Sequence, residues 1–512
     1  MGSNPTLSAF AVSSAAQHAE RMHVASRFAF LDSLPGAQMV HAQCTGRSRH
    51  MATRKHSKEK KRFRIGSVSV YKHRRSWWLY YRENGAARRR RASQSLEEAR
   101  VIAAEVNAQL AGNRPTIFSF QPISVEDLTH RWLDYHEHVR RSSVATCQRY
   151  RTAVEYLVRF VGNEPSCRCA HKVNAEAFLR YVRAVQVAPN GHRNARKRGL
   201  RDKGIKFILG ACRSMYGFAH SHRFLPPYAD NPFAALAVDR MPVEDAKRIH
   251  VFAAAEEFSF LSACDDWQFP VFYILAKTGL RSGELAHLLI EDIDLVNETL
   301  HVRSKSELGW QVKTRNARSI PLPPEPIAVL QHVIGQRREG VLFLRRSVQD
   351  QPADHVMTLS RDASAAELAQ RADCLSDTLG RQLTRVESFR LAKRLWRDAG
   401  AAKTDTIRTE FMRITRSIGL GHVTAPKCWR HTFATLLQEA GVDPLIRQQT
   451  MGHAPAGPRA GALGMTAHYT HTQAKVHRRQ LASALSLRPR TSDIVADQIG
   501  NGAKTEQKGE QQ

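Results

Sequence analysis

Three short stretches decide how this chain is read. They are Thr278-Gly-Leu-Arg281-Ser-Gly-Glu284-Leu285, Lys427-Cys-Trp-Arg430-His431-Thr-Phe-Ala-Thr435, and Met451-Gly-His453, the last followed after a loop by His468-Tyr469-Thr-His471. Arginine, histidine and tyrosine gathered in this way suit phosphate chemistry. A phosphodiester carries its charge on two non-bridging oxygens, and two guanidiniums donate several hydrogen bonds to them at fixed geometry, which lysines do less well. No G-x-x-x-x-G-K-S/T loop and no glycine-rich dinucleotide turn occurs, and no group of acids suits catalytic magnesium. The expectation is chemistry with no cofactor and no metal.

In this order, T-G-L-R-x-x-E-L, R-H-T-F-A-T, M-G-H and Y-T-H resemble the signature of the tyrosine recombinase, or phage integrase, family. The resemblance covers roughly residues 250–475. It implies a site-specific DNA recombinase that breaks and rejoins DNA through a covalent 3′-phosphotyrosyl intermediate. Arg281 and Arg430 match the family's two arginines, and Tyr469 matches the nucleophile that expels a 5′-hydroxyl. That link stores the bond energy, so rejoining needs neither ATP nor metal. Lys313, in Lys313-Thr-Arg-Asn-Ala-Arg-Ser-Ile-Pro-Leu322, sits where the family's hairpin lysine does and would protonate the leaving oxygen. Lys305 is its rival. His453 would hydrogen-bond the scissile phosphate. Glu284, three residues past Arg281, is expected to hold a catalytic side chain in place.

Three departures from the family pattern stand out. Lys427 occupies the position, three before Arg430, where the family usually has histidine. It keeps a cation near the phosphate but is a poorer base at neutral pH. The stretch from His453 to Tyr469 is long and rich in glycine and proline, and the long interval from Lys313 to Arg430 implies an insertion at 345–420. Two alternatives share the fold: a type IB-like topoisomerase, and a catalytically silent DNA-binding regulator, towards which only Lys427 leans.

Composition agrees with a DNA partner. The 512 residues carry 77 Lys and Arg against 47 Asp and Glu, a net charge of +30, which points to a polyanion. Between Arg47 and Arg91 there are 17 Lys and Arg against two acids. No run of eighteen apolar residues occurs, so no membrane partner is expected. Eight scattered cysteines read as reduced thiols, in keeping with a cytoplasmic, nucleoid-associated protein. The partners implied are double-stranded DNA, further copies of the chain in a tetramer on paired DNA sites, and accessory DNA-bending proteins.

Outward from the catalytic stretches, the pattern predicts a mostly helical α+β protein. Residues 1–65 read as a disordered basic leader. Val68–Tyr71, Trp77–Tyr81 and Arg88–Arg91, with Asn84-Gly85 as a turn, predict a three-stranded sheet. Ser95 with Glu98 reads as a capping box opening a helix to about residue 112. This 66–112 unit is expected to be an arm-type DNA-binding domain that grips DNA through Trp77, Tyr81, Arg88, Arg89, Arg90 and Arg91. Ser124 and Ser143 each start a helix, the first with Leu128, Trp132, Tyr135 and Val139 as its apolar positions. Residues 123–235 therefore read as a helical core-type DNA-binding domain, with Arg196, Lys197 and Arg198 on its basic face. The catalytic domain is expected over 250–485, with short strands at 293–303 and 310–321, and 490–512 as a disordered tail.

Overall fold

The computed structural model describes residues 62–188, 194–246, 248–313, 315–349, 355–452, 473–488, 491 and 493–498. Alternating apolar residues build its first unit. β1 (Arg62–Ile65), β2 (Val68–His73), β3 (Ser76–Glu83) and β4 (Ala86–Ser93) form an antiparallel sheet in sequential order, covered by α1 (Leu96–Ala111). Val68, Val70, Trp77, Leu79 and Tyr81 point to one face and pack on Ala99, Ala103 and Val106. Asn84 and Gly85 both take positive φ, as the β3–β4 turn requires.

The three expected strands are present and a fourth joins them. Arg62–Ile65 pairs with β2, so the disordered leader expected to residue 65 is wrong for these four residues; 1–61 lie outside the described residues. The capping box at Ser95 does not form either. Ser95 stands at the N-cap without a side-chain bond, and Ser93 Oγ takes the Glu98 carboxylate instead.

The second unit comprises α2 (Val125–Asp134), α3 (Val144–Asn163), α4 (Ala175–Ala184), the two-residue pair β5 (Gln186–Val187) and β6 (Arg198–Gly199), and α5 (Asp202–Ser221). Ser124 and Ser143 cap α2 and α3, accepting from the backbone N–H of Asp127 and Thr146. Leu128, Trp132, Val154, Leu157, Phe178 and Met215 fill its core. A π turn at Tyr135–Val139 follows α2 and shifts the helical phase, so Val139 is exposed rather than packed as expected. The link at 115–122 is held where it begins. Thr116 N–H donates to Glu83 (2.8 Å), and Tyr228 Oη donates to the Pro115 carbonyl (2.6 Å).

The third unit is arranged around α7, with α6 (Ala254–Ser262) beside it. Every residue of α7 (Gln268–Thr278) is buried, its apolar middle by packing and its polar ends, Gln268 and Lys277, by hydrogen bonding to Glu410 and Glu257. Around it lie α8 (Ser282–Leu285), the sheet of β7 (Ile293–Asp294), β8 (Thr299–Val302) and β9 (Arg318–Pro321), and α9 (Pro324–Ile334). Then come α10 (Arg361–Leu379), α11 (Arg385–Asp398), α12 (Thr404–Ser417), α13 (Lys427–Glu439), α14 (Pro444–Met451) and α15 (Ala474–Leu485).

Two boundaries need correction here. The 345–420 segment is not external throughout: α10 buries only Ser364, but Ile407, Phe411 and Ile414 of α12 sit in the main core with Phe272 and Trp429. Their four-then-three spacing makes one apolar stripe, and α12 cannot leave without opening the core. Nor does order stop at residue 490. Ile494 and Val495 are buried in the same core, and buried Lys277 donates to Thr491 Oγ1 (3.1 Å) as well as Glu257 (2.8 Å). Among the described residues, no helix is long and apolar enough to cross a membrane.

Candidate active site

The end of α7 sets the geometry. Gly279 takes φ +61°, and a Cβ there would lie 2.4 Å from a ring carbon of Phe433, so the chain reverses tightly between α7 and α8. Arg281 follows at the N-cap of α8. Its backbone N–H donates to Glu284 Oε2 (3.0 Å), and its Nη1 donates to Glu284 Oε1 (2.6 Å). Glu284 is 2% exposed, so its carboxylate must be paired in place.

A second arginine completes the pairing. Arg318, at the start of β9, donates through Nη2 (2.7 Å) and Nη1 (3.3 Å) to Glu284 and through Nε (2.9 Å) to the Thr450 carbonyl. Arg430, one turn into α13 and buried, donates through Nη1 to the Gly279 carbonyl (2.6 Å) and through Nη2 to the Met451 carbonyl. Three segments distant in sequence are thereby tied together at Thr278–Glu284, Trp429–Arg430 and Thr450–Gly452.

The charges influence one another. Burial pushes the Glu284 carboxyl up, but hydrogen bonds and charge from Arg318, then from Arg281, outweigh it and hold it below its usual value. Arg430 is lowered to about 10, first by burial and then by the nearby Arg281 and Arg318, with Glu284 opposing. It remains a guanidinium at neutral pH.

The two candidate lysines have different surroundings. Lys305 is 1% exposed and paired with Asp292 (2.7 Å), whereas Lys313 is exposed in the connection between β8 and β9. That connection is longer than expected, because strand structure stops at Val302 and resumes at Arg318. Lys427 is exposed as the first residue of α13. One turn on, His431 is lowered by burial and then by the charges of Lys427 and Arg430. His453 and Tyr469 lie outside the described residues. The chain is held on either side of them by the Arg318 and Arg430 bonds to Thr450 and Met451, and by a hydrogen bond between Thr450 Oγ1 and His477 Nε2 (2.6 Å).

Comparison with known proteins bears directly on this site. Residues 244–475 match the family described as the Phage integrase family. Over those residues the chain is similar to the tyrosine recombinases. Two relatives show how far the likeness reaches. A tyrosine recombinase XerC from Bacillus pumilus is 24% identical over 351 residues, spanning 67% of this chain and 91% of that protein. A putative defective protein, IntQ, from Escherichia coli is 24% identical over 343 residues, 66% of this chain and 78% of that protein. Among solved structures, the integrase of transposon Tn1549 in complex with transposon right-end DNA is 19% identical, covers 72% of this chain and all of that one, and gives a TM-score of 0.43.

The other expected DNA contacts divide by burial. Trp77 and Tyr81 are 2% and 1% exposed and belong to the core between sheet and α1, so they are packing residues and not the DNA-gripping ones expected. The opposite parity faces outward: half-buried Trp78 and Tyr80 pair in register with exposed Arg91 and Arg89. Arg88 to Arg91 are all exposed on β4, and Arg196, Lys197 and Arg198 are exposed ahead of α5. Sequence reasoning passed over Arg318. The R-x-I-P-L context that singled out Lys313 already contained it, but its acidic partner lies 34 residues upstream.

Proposed function

We propose that this chain is a site-specific recombinase that cuts one DNA strand by attack of the Tyr469 phenolate on the scissile phosphorus. A 3′-phosphotyrosyl bond forms as the bond to the 5′-oxygen breaks, and the strand is rejoined by the reverse displacement from a new 5′-hydroxyl. Arg281 and Arg430 stabilise the charge that develops on the non-bridging oxygens. Lys313 supplies a proton to the departing oxygen, His453 donates to the phosphate, and Lys427 contributes positive charge. The reading rests on one observation above all: the Arg281 and Arg430 segments are fastened to each other and to the Thr450–Gly452 segment that leads into His453.

The remaining parts follow from chemistry and charge. The exposed arginines of β4 and the cations at 196–198 act as phosphate contacts, and four copies assemble on two paired sites. Bending proteins assist where the sites lie on curved DNA. Incubation with a nicked suicide substrate tests the core of this proposal. The unaltered chain should become covalently attached to DNA, and Tyr469→Phe should bind DNA with similar affinity yet form no adduct. An adduct that survives the substitution would reassign the nucleophile. Strand exchange between two duplexes, as opposed to plasmid relaxation alone, separates a recombinase from a topoisomerase.

A further inference from the structure

We infer that Arg318 is a positioning residue of the recombination site, holding Arg281 through Glu284 and holding the segment before His453 through the Thr450 carbonyl. The inference rests on the reaction proposed above. Among the described residues Arg318 bonds to no group proposed to react, yet it joins two of the site's elements. Its side chain is 4% exposed and uses Nε, Nη1 and Nη2 on two acceptors that belong to different motifs. A buried guanidinium is held in place when its donors are matched in this way, and a lysine offers a single point of charge in place of the fork.

Two further observations tie Arg318 to the site. Gly452 has φ +60°, and a Cβ there would lie 2.8 Å from Arg318 Nη1 and 2.9 Å from Cδ, so the side chain packs directly on the backbone of the last residue before His453. Glu284 also divides its carboxylate: Oε1 accepts from both Arg281 (2.6 Å) and Arg318 (3.3 Å). Without Arg318, Glu284 would be a buried carboxylate with Arg281 as its remaining side-chain partner among the described ion pairs. It would draw Arg281 inward, away from an incoming phosphate. Arg318 thus sets how much of the Arg281 charge Glu284 neutralises, and where that charge sits.

Such a role predicts a chemical signature that loss of fold alone does not give. Cleavage rate constants at saturating DNA, and DNA affinities, are measured for Arg318→Lys and for Glu284→Gln, on a suicide substrate and on one with a methylphosphonate at the scissile position. The neutral methylphosphonate lacks one of the anionic oxygens that the two arginines serve. On the ordinary substrate Arg318→Lys should cut about tenfold to a hundredfold more slowly with affinity nearly unchanged, because the reacting groups are misplaced by a fraction of an ångström to an ångström. The deficit should shrink severalfold on the methylphosphonate, as it should for Arg281→Lys. Glu284→Gln breaks the same bridge from its other end and should behave alike, which keeps the test open if Arg318→Lys fails to fold. An equal deficit on both substrates, or no deficit, overturns the inference. Failure of the unaltered chain to form any adduct overturns the proposed reaction and the inference with it.

Discussion

Lys305 and Asp292 form a buried pair, with Nζ 2.7 Å from Oδ2, and Arg303 Nε contacts the other oxygen of the same carboxylate at 2.9 Å. Burial lowers the Lys305 amine despite this partner. The lysine is fixed inside the domain, which leaves the exposed Lys313 as the better placed proton donor. Lys305→Ala should therefore destabilise the catalytic domain by about 1–3 kcal/mol, measured by denaturant melts, since it takes from the buried carboxylate one of its two cations and leaves Arg303. Lys313→Ala should melt normally but cleave roughly a hundredfold to ten-thousandfold more slowly. A substrate with sulfur in place of the 5′-bridging oxygen, which leaves without a proton, should restore most of that rate. Absence of restoration would remove Lys313 from the role.

Lys427 and His431 lie one turn apart on α13, and the lysine's charge helps lower the histidine. Lys427→Ala should raise the His431 midpoint, followed by NMR titration, and Lys427→Arg should leave it in place. Cleavage by Lys427→His should persist near pH 7 if the position supplies only charge. A rise of cleavage by the unaltered chain towards alkaline pH that Lys427→Ala abolishes would show instead that Lys427 accepts the phenol proton.

Acid should weaken the catalytic domain through two imidazoles, His287 half-buried and His477 buried. Burial lowers both His287, stacked on Trp310, and His477, bonded to Thr450, to about 4. A folded-state value below the unfolded one, about 6.5, favours the neutral ring in the fold. The stability this gives is present above about pH 6.5 and is lost as the pH falls towards 4. Melting temperatures measured between those limits should fall less steeply for His287→Gln than for the unaltered chain.

The two neighbouring tryptophans of β3 should separate cleanly. Trp77→Ala empties the sheet–helix core and should cost about 3–5 kcal/mol, enough to unfold so small a unit. Trp78→Ala should leave the unit folded. If the Trp78, Tyr80, Arg89 and Arg91 side of the sheet meets DNA, this variant should bind arm-containing DNA more weakly, measured by fluorescence anisotropy. Equal binding by Trp78→Ala would direct attention away from that face.

Much of this organisation was legible in the chain itself. The serine caps at 124 and 143, the Asn84-Gly85 turn and the order of the catalytic motifs each depend on local chemistry that a few residues suffice to state. The parity of β3 was also within reach: Leu79 shares its phase with Trp77 and Tyr81, so an inward Leu79 carries both aromatic rings inward with it. What local pattern could not show was pairing across distance. Arg318 reads as one more strand cation until Glu284 and Thr450 are placed beside it, and Lys305 is no different from Lys313 until Asp292 is found against it. The packed end of the chain at Ile494 and Val495 was hidden for the same reason, because a short apolar pair in a polar stretch acquires meaning only from the core that receives it.

Among the described ion pairs, Arg281 and Arg318 share one carboxylate, and Arg430 lies close enough to feel both. Among the described residues, the Arg281, Arg318 and Arg430 guanidiniums gather about the single Glu284 carboxylate. Like-charge repulsion in a largely dehydrated pocket is a standing tension. On the proposed reaction, a phosphodiester would relieve part of it on arrival, and the additional negative charge of the five-coordinate phosphorus would relieve more. In that reaction the DNA backbone would serve the folded domain as a counterion, most fully while the strand is being cut or joined.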